Sequence, residues 1–374
     1  MTSLDDAGPD TGPAEGPARR PAPVTGEPPV LLANLLAELI PGGRAVARDE
    51  AVSLLRRHLG RIQNRVQQVF EAHEITGLPA ARWLASLTDT VMVGIRAYAD
   101  AVLPPAPGEK PWALVATGGY GRGVLAPFSD IDLLFLTDAG MGARGKQSVE
   151  FMLYLLWDLG LKVGHATRSR HDCLVDAKGD ATVLTALLDA RHIAGDEAVF
   201  QRFAAAFRDA RAEWGLTPFL IAKRAERQQR HARYGESPFL VEPHVKEGRG
   251  GLRDLQTLYW LARYAFNVQR MPELVGPHTP GGGLLTAEEA RAIRRAWDFF
   301  WTVRFHLHIV TGRAEERLTF DLQPVVGARM GYTRHGLQDG VERFMKHFFL
   351  MVRDVARFTR ILEPAIERAS LGPP

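Results

Sequence analysis

The chain has 374 residues, a length that suits two or three domains, and its 46% hydrophobic content is enough for sizeable cores. Its 46 Lys and Arg against 43 Asp and Glu leave a formal net charge of +3, too mild a surplus to indicate a nucleic-acid binder. A single cysteine, Cys173, excludes internal disulfides and Cys-based zinc sites and fits a reducing cytoplasm. No apolar run approaches the roughly 18 residues of a membrane span, and the start shows no signal-peptide pattern.

Residues 1–28, rich in Pro and Gly, are expected to be a disordered tail. Residues 29–104 read as an N-terminal helical segment. Apolar positions recur at helical spacing in LLANLLAELI, AVSLLRRHLGRIQNRVQQVFEAHE and ARWLASLTDTVMVGIRAYADAVL, giving two or three helices. PPAPGEKP then breaks the chain.

An α/β domain is expected over 105–200. WALVAT reads as a buried strand, GGYGRG as a tight turn opening a short helix, and SDIDLLFLTD as a second strand. SVEFMLYLLWDLG reads as a helix and LKVGHATRS as a third strand. Residues 201–374 read as a helical domain. Wide apolar stripes mark VLTALLDARHIAG at the end of the α/β part, then FQRFAAAFRDARAEW, LRDLQTLYWLARYAF, AEEARAIRRAWDFFWTVRFHLHIV and GVERFMKHFFLMVRDVARFTRIL. The fold class is therefore α+β: a small mixed sheet flanked by N-terminal helices and a C-terminal helical bundle.

The chemistry concentrates in GGYGRGVLAPFSDIDLLFL. Asp130 and Asp132 are two apart on a strand and so share a face. Adjacent carboxylates repel unless a cation lies between them, and carboxylates together with phosphate oxygens suit Mg²⁺. Two such ions about 4 Å apart can serve an attacking and a leaving oxygen. Gly118 and Gly119 allow close backbone approach to a ligand, Arg122 adds charge for a phosphate, and Ser129 adds a hydroxyl. Positioning and charge neutralisation carry most of phosphoryl transfer. Neither the Gly turn nor the Asp-x-Asp pair is specific alone; the strand, Gly-Gly turn and Asp-x-Asp strand together are.

At these residues the sequence resembles the nucleotidyltransferase superfamily of DNA polymerase beta, and within it the bacterial PII uridylyltransferase family, whose segment looks like GGYGRGEL-x-P-x-SDIDLL. Two further segments resemble that family: EPHVKEGRGGLRDLQTLYW, from Glu242 to Trp260, and VRFHLHIVTGRAEERLTFDLQ, from Val303 to Gln323. The resemblance implies transfer of UMP from UTP to a tyrosine of the PII signalling protein, with Mg²⁺ on Asp130 and Asp132. It implies nucleotide positioning by Gly118, Gly119, Arg122 and Ser129. The superfamily's usual third carboxylate is absent from LKVGHATRS; Asp158, Asp172 and Asp180 are the nearby acids, and His165 is a further candidate. No HD hydrolase or ACT domain is found after Leu362, so the chain reads as the transferase part of such an enzyme. Adenylylation of glutamine synthetase or another protein, and a non-catalytic nucleotide-binding module, are the alternatives.

Lys246, Arg249 and Arg253, set among glycines, are candidates to contact the triphosphate or the PII protein. Asp254 at the following helix start also fits a simple helix-entry motif. His306 and His308, at i and i+2 of a helix, read as packing or surface residues rather than metal ligands. Arg313 and Arg317 read as ion-pair partners of Glu315, Glu316 or Asp321. The cluster Trp297, Phe299, Phe300 and Trp301 reads as core.

Overall fold

In the computed structural model, residues 27–104, 106–235, 240–276, 283–335 and 339–370 are described. The expected tail at 1–28 lies almost wholly outside them. Three helices come first: α1 (Glu27–Leu39), α2 (Arg48–Glu71) and α3 (Gly77–Val102). The central part runs β1 (Trp112–Ala116), α4 (Gly118–Gly121), β2 (Ile131–Thr137), α5 (Ala143–Asp158), β3 (Val163–Ser169), α6 (Arg170–Gly179), α7 (Ala181–Leu188) and β4 (Arg191–Gly195). Helices complete the chain: α8 (Glu197–Trp214), α9 (Leu216–Tyr234), α10 (Leu252–Phe266), α11 (Ala287–Thr311), α12 (Leu322–Arg329) and α13 (Gly340–Ser370). No helix among the described residues is long and apolar enough to cross a membrane.

The four strands form one mixed sheet in the order β3-β2-β1-β4. β1 is antiparallel to β2 and β4, and β2 is parallel to β3. All of β1 is buried and β2 is buried save Asp132, as their unbroken apolar runs require. The polar strand β3 is an edge and stays largely open. The mixed sheet and flanking helices agree with the α+β class read from the sequence.

The helices on either side of the sheet in sequence meet in space. α3 packs on α11 as well as on α2 and α5. At its start, the Gly77 amide donates to Thr302 Oγ1 at 2.9 Å and the Leu78 amide to Asp298 Oδ1 at 2.9 Å. Farther along, Asp89 accepts from Tyr120 and Arg191, which clamps α3 to α4 and β4.

Several elements differ from the sequence reading. VLTALLDARHIAG is not one helix: α7 ends at Leu188, and RHIAG pairs with β1 as β4. Five residues are too few for periodicity to separate strand from helix. Three helices carried no legible stripe. α6 and α12 are short, and α9 is crowded with charge; its buried face, Leu216, Phe219, Leu220, Lys223 and Arg230, includes two cations.

Candidate active site

One wall of the principal cleft, about 620 Å³, belongs to the sheet. Gly118 begins α4 with φ +57, a left-handed conformation that favours glycine. The reason for a missing side chain there is also spatial, since a Cβ would stand 2.6 Å from Asp132 Oδ2. The Thr117 amide donates to the Asp132 carbonyl at 3.0 Å and ties the turn to β2. Asp130 is exposed just before β2, and Asp132 is half-buried in it. Burial and the neighbouring Asp130 push the Asp132 carboxyl up, against the pull of Arg122 and Lys246.

The other wall is helical and strongly cationic. Arg122, Lys223, Lys246, Arg253 and Arg304 all line the cleft. Three of these surround the buried Trp260 indole: Lys223 at 4.7 Å, Arg122 at 5.2 Å and Arg253 at 5.5 Å from the ring centroid. Arg122 also pairs with the fully buried Asp189, which accepts from Trp260 Nε1 at 3.0 Å. Burial holds the Asp189 carboxyl up, though Arg122 opposes it. Arg304 pairs with Glu316 at 2.7 Å. Burial would raise Glu316, but Arg304 and His308 outweigh it and bring the carboxyl down to about 2. Lys246 has its ammonium lowered by burial first, then by Arg304 and Arg253. Glu316 and Glu247 oppose that shift, and the half-buried ammonium lies 3.9 Å from Glu247.

The loop before α10 brings Lys246 and Arg253 to the cleft. Asp254 anchors it, accepting from the Gly250 amide at 2.8 Å and from Arg230 at 2.7 Å. Burial pushes Asp254 up, and His231 and Arg230 outweigh that to hold it ionised. The helix-entry reading of Asp254 thus underrates it, because it is an interior ion-pair partner.

Of the residues singled out in sequence, Gly118, Gly119, Arg122, Ser129, Asp130, Asp132, Lys246 and Arg253 line this one cleft. Ser129 Oγ accepts from the Ala126 amide at 3.1 Å and from Arg304 at 3.4 Å, so it shapes the turn before β2. Arg249 lies apart from this cleft, lining a different concavity with Arg227, His231, Arg353 and Arg357. None of the three acids considered as a third carboxylate lines the cleft. Asp158 pairs with Arg48 at 2.6 Å, Asp172 caps α6 with Ser169, and Asp180 caps α7. His165 does line it. Asp189, Glu226 and Glu316 are the acids of the cleft that sequence reasoning missed as site residues, and each is paired with a cation from the cleft wall. No group of three or more metal-ligating side chains occurs among the described residues.

The remaining residues act in packing. His306 is buried against Phe70, with ring centroids 4.6 Å apart. His308 lies 3.4 Å from Glu316 and accepts from the Phe128 amide at 3.3 Å. Arg313 pairs with Glu315 at 2.6 Å, whereas Glu316 turns inward to Arg304. Phe299, Phe300 and Trp301 are core, and Trp301 also lines the cleft.

Two family models match separate stretches of the chain. A nucleotidyltransferase domain model matches residues 109–183, and the GlnD PII-uridylyltransferase model matches residues 218–363. The chain belongs to the PII-uridylyltransferase family of nucleotidyltransferases. Similar curated relatives are bifunctional uridylyltransferase/uridylyl-removing enzymes. The one from Gluconobacter oxydans is 48% identical over 91% of this chain and 37% of the relative's length. Those from Azospirillum brasilense and Rhodopseudomonas palustris are 45% and 44% identical, over 92% and 89% of this chain and 36% and 35% of theirs. The chain thus spans little more than a third of the length of these relatives. The sheet wall falls in the first matched region, and Lys246, Arg253 and Arg304 fall in the second.

Proposed function

We propose that this chain transfers UMP from UTP to a tyrosine hydroxyl of a PII signalling protein in the cytoplasm, releasing pyrophosphate. The observation that carries the reading is the pairing of Asp130 and Asp132 with an opposing wall of Arg122, Lys246, Arg253 and Arg304. Such a wall fits a triphosphate; the two carboxylates fit a divalent cation beside it.

The donor set suits Mg²⁺. Asp132 sits between two bare backbones, since a Cβ at Gly118 or at Gly164 would come within 2.6 Å or 2.5 Å of its oxygens. The Asp132 carboxyl is raised by burial and by the neighbouring Asp130, so a cation there relieves an existing cost. With only two acids, phosphate oxygens and water would complete the coordination. Bound there, Mg²⁺ would neutralise phosphate charge and polarise the α-phosphate.

The protein's own groups then bind and orient. Lys246 and Arg304 hold phosphate oxygens near the carboxylates, and Arg122 is kept rigid by Asp189 for the same task. The tyrosine oxygen attacks the α-phosphorus, the bond to the β-phosphate oxygen breaks, and the phenolic proton leaves to solvent or a basic group of the cleft. Burial of the cationic wall makes each of these contacts stronger than in water.

The test is incubation with labelled UTP, Mg²⁺ and PII, with Asp130→Asn/Asp132→Asn as the control. Loss of several kcal/mol of charge stabilisation should cut labelling by about a thousandfold at about 1.4 kcal/mol per decade. Equal labelling by the double variant would overturn the site; labelling from ATP and not UTP would redirect the substrate.

A further inference from the structure

The cleft has two chemically distinct ends. At the sheet end, the charges acting on Asp132 are Asp130, Arg122 and Lys246. The helical end is lined by Thr182, Val183, Thr185 and Ala186 of α7 and by Gln256 and Trp260 of α10. Both ends belong to one cleft, so a nucleotide whose triphosphate is held at the carboxylates has this second end open to its base. Trp260 is already flanked by three cations, which leaves the edge-reading groups of this wall to recognise a base.

Gln256 has the features of such a group. It is only 3% exposed and lines the cleft. Its Oε1 accepts from Arg253 Nη1 at 3.0 Å. That bond fixes the amide, because a guanidinium has no acceptor and would repel the NH₂ end. Arg253 is itself held by two contacts to Glu247, at 3.0 Å and 3.3 Å. The Nε2 end therefore points away from Arg253, and among the described residues no hydrogen bond from it is made, while the residue lines the open cleft. A fixed amide donor on a cleft wall, with no protein acceptor, is open to an acceptor carried by a ligand.

We infer that Gln256 is a specificity-determining residue that donates Nε2–H to the 4-carbonyl of the uracil ring of the incoming nucleotide. The inference rests on the UTP reading above and names how that substrate is chosen. A donor locked in one orientation favours a ring carbonyl and disfavours an amino group at the same place. Cytosine carries an amino group there, so UTP and CTP, matched in size, are separated by this one contact. Val183 and Ala186 on the facing helix add apolar surface without a competing acceptor.

The test measures binding to the 374-residue chain, without acceptor protein, by competition against labelled UTP in Mg²⁺. Competitors are CTP and the 2-pyrimidinone ribonucleoside triphosphate, which lacks the 4-oxygen. The unaltered chain should prefer UTP to each by about tenfold to a hundredfold, the discrimination available to a site built around one buried polar contact. Gln256→Ala should bring the three to a common affinity, and Gln256→Glu, which replaces the donor with an acceptor, should favour CTP. The analogue comparison needs no substitution, so a variant that fails to fold leaves the test intact. Equal binding of UTP and the 4-unsubstituted analogue by the unaltered chain, or a full UTP preference in Gln256→Ala, would overturn the inference. UTP binding without preference would leave the transferase reading standing, whereas no nucleotide binding at all would overturn both.

Discussion

On the sheet wall of the cleft, two acids and two glycines sit within one turn and one strand, and Asp130 and Asp132 are held close to each other at a cost. On the helical wall, each charge that reaches the cleft from α4, α9, α10 or α11 is set against a partner: Arg122 on Asp189, Lys223 on Glu226, Arg253 on Glu247, Arg304 on Glu316. The first wall leaves its charge unbalanced for a ligand to complete. The second is balanced internally and keeps its cations rigid. Loss of Asp130 and Asp132 should therefore cost activity alone, whereas loss of an acid that pairs the helical wall's cations should cost stability as well.

The largest stability effect is expected at Asp189→Ala. The side chain is fully buried, and its loss strands Arg122, itself 11% exposed, along with the Trp260 N–H. Breaking a buried pair from one side costs about 3–5 kcal/mol, to be read from urea unfolding. Asp130→Asn/Asp132→Asn should leave the unfolding midpoint unchanged or slightly raised, because it removes repulsion. A loss below about 1 kcal/mol at Asp189, the range of an exposed pair, would show that the helical wall does not depend on this ion pair.

The contrast also explains what the sequence could reveal. The sheet wall is local: a glycine turn, an Asp-x-Asp pair and two buried apolar strands lie in one continuous segment, so spacing alone brings its residues together. The helical wall is assembled from distant segments. Asp189 sits just after the helix that was read through into β4, and Lys223 and Glu226 lie on α9, whose charges hide its buried face. Glu316 looked like the partner of nearby Arg313, yet it turns to Arg304 in the helix before it. Lys246, Arg249 and Arg253 were grouped by sequence density; the structure places two on the cleft and one in a different concavity. Pairing across long loops is a tertiary property, and no local pattern encodes it.

A sharper test bears on the missing third acid. Gly164 is the β3 residue paired with Asp132 in the parallel register, on an exposed edge strand. A Cβ there would approach Asp132 Oδ1 to 2.5 Å. Gly164→Asp therefore places an acid where a third ligand would sit but displaces the one already present. Labelling of PII should fall by about a hundredfold, the scale of an ångström-sized misplacement, with the fold retained by circular dichroism. A rise in activity would instead show that the position tolerates a third carboxylate, and would make the two-acid arrangement incidental.

The smallest effect is predicted for Asp158→Asn, and it bounds the sheet wall from outside. Asp158 ends α5 and pairs with Arg48 at 2.6 Å, with the two side chains 43% and 46% exposed. A second arginine, Arg56, donates to its backbone carbonyl at 2.7 Å, a bond that the substitution leaves in place. Exposed pairs of this kind contribute at most about 1 kcal/mol and are screened by salt. Stability should shift by no more than that, with the shift shrinking as salt is added, and labelling of PII should match the unaltered chain. A large loss of labelling with the fold intact would bring Asp158 back as the third carboxylate, which its place outside the cleft opposes.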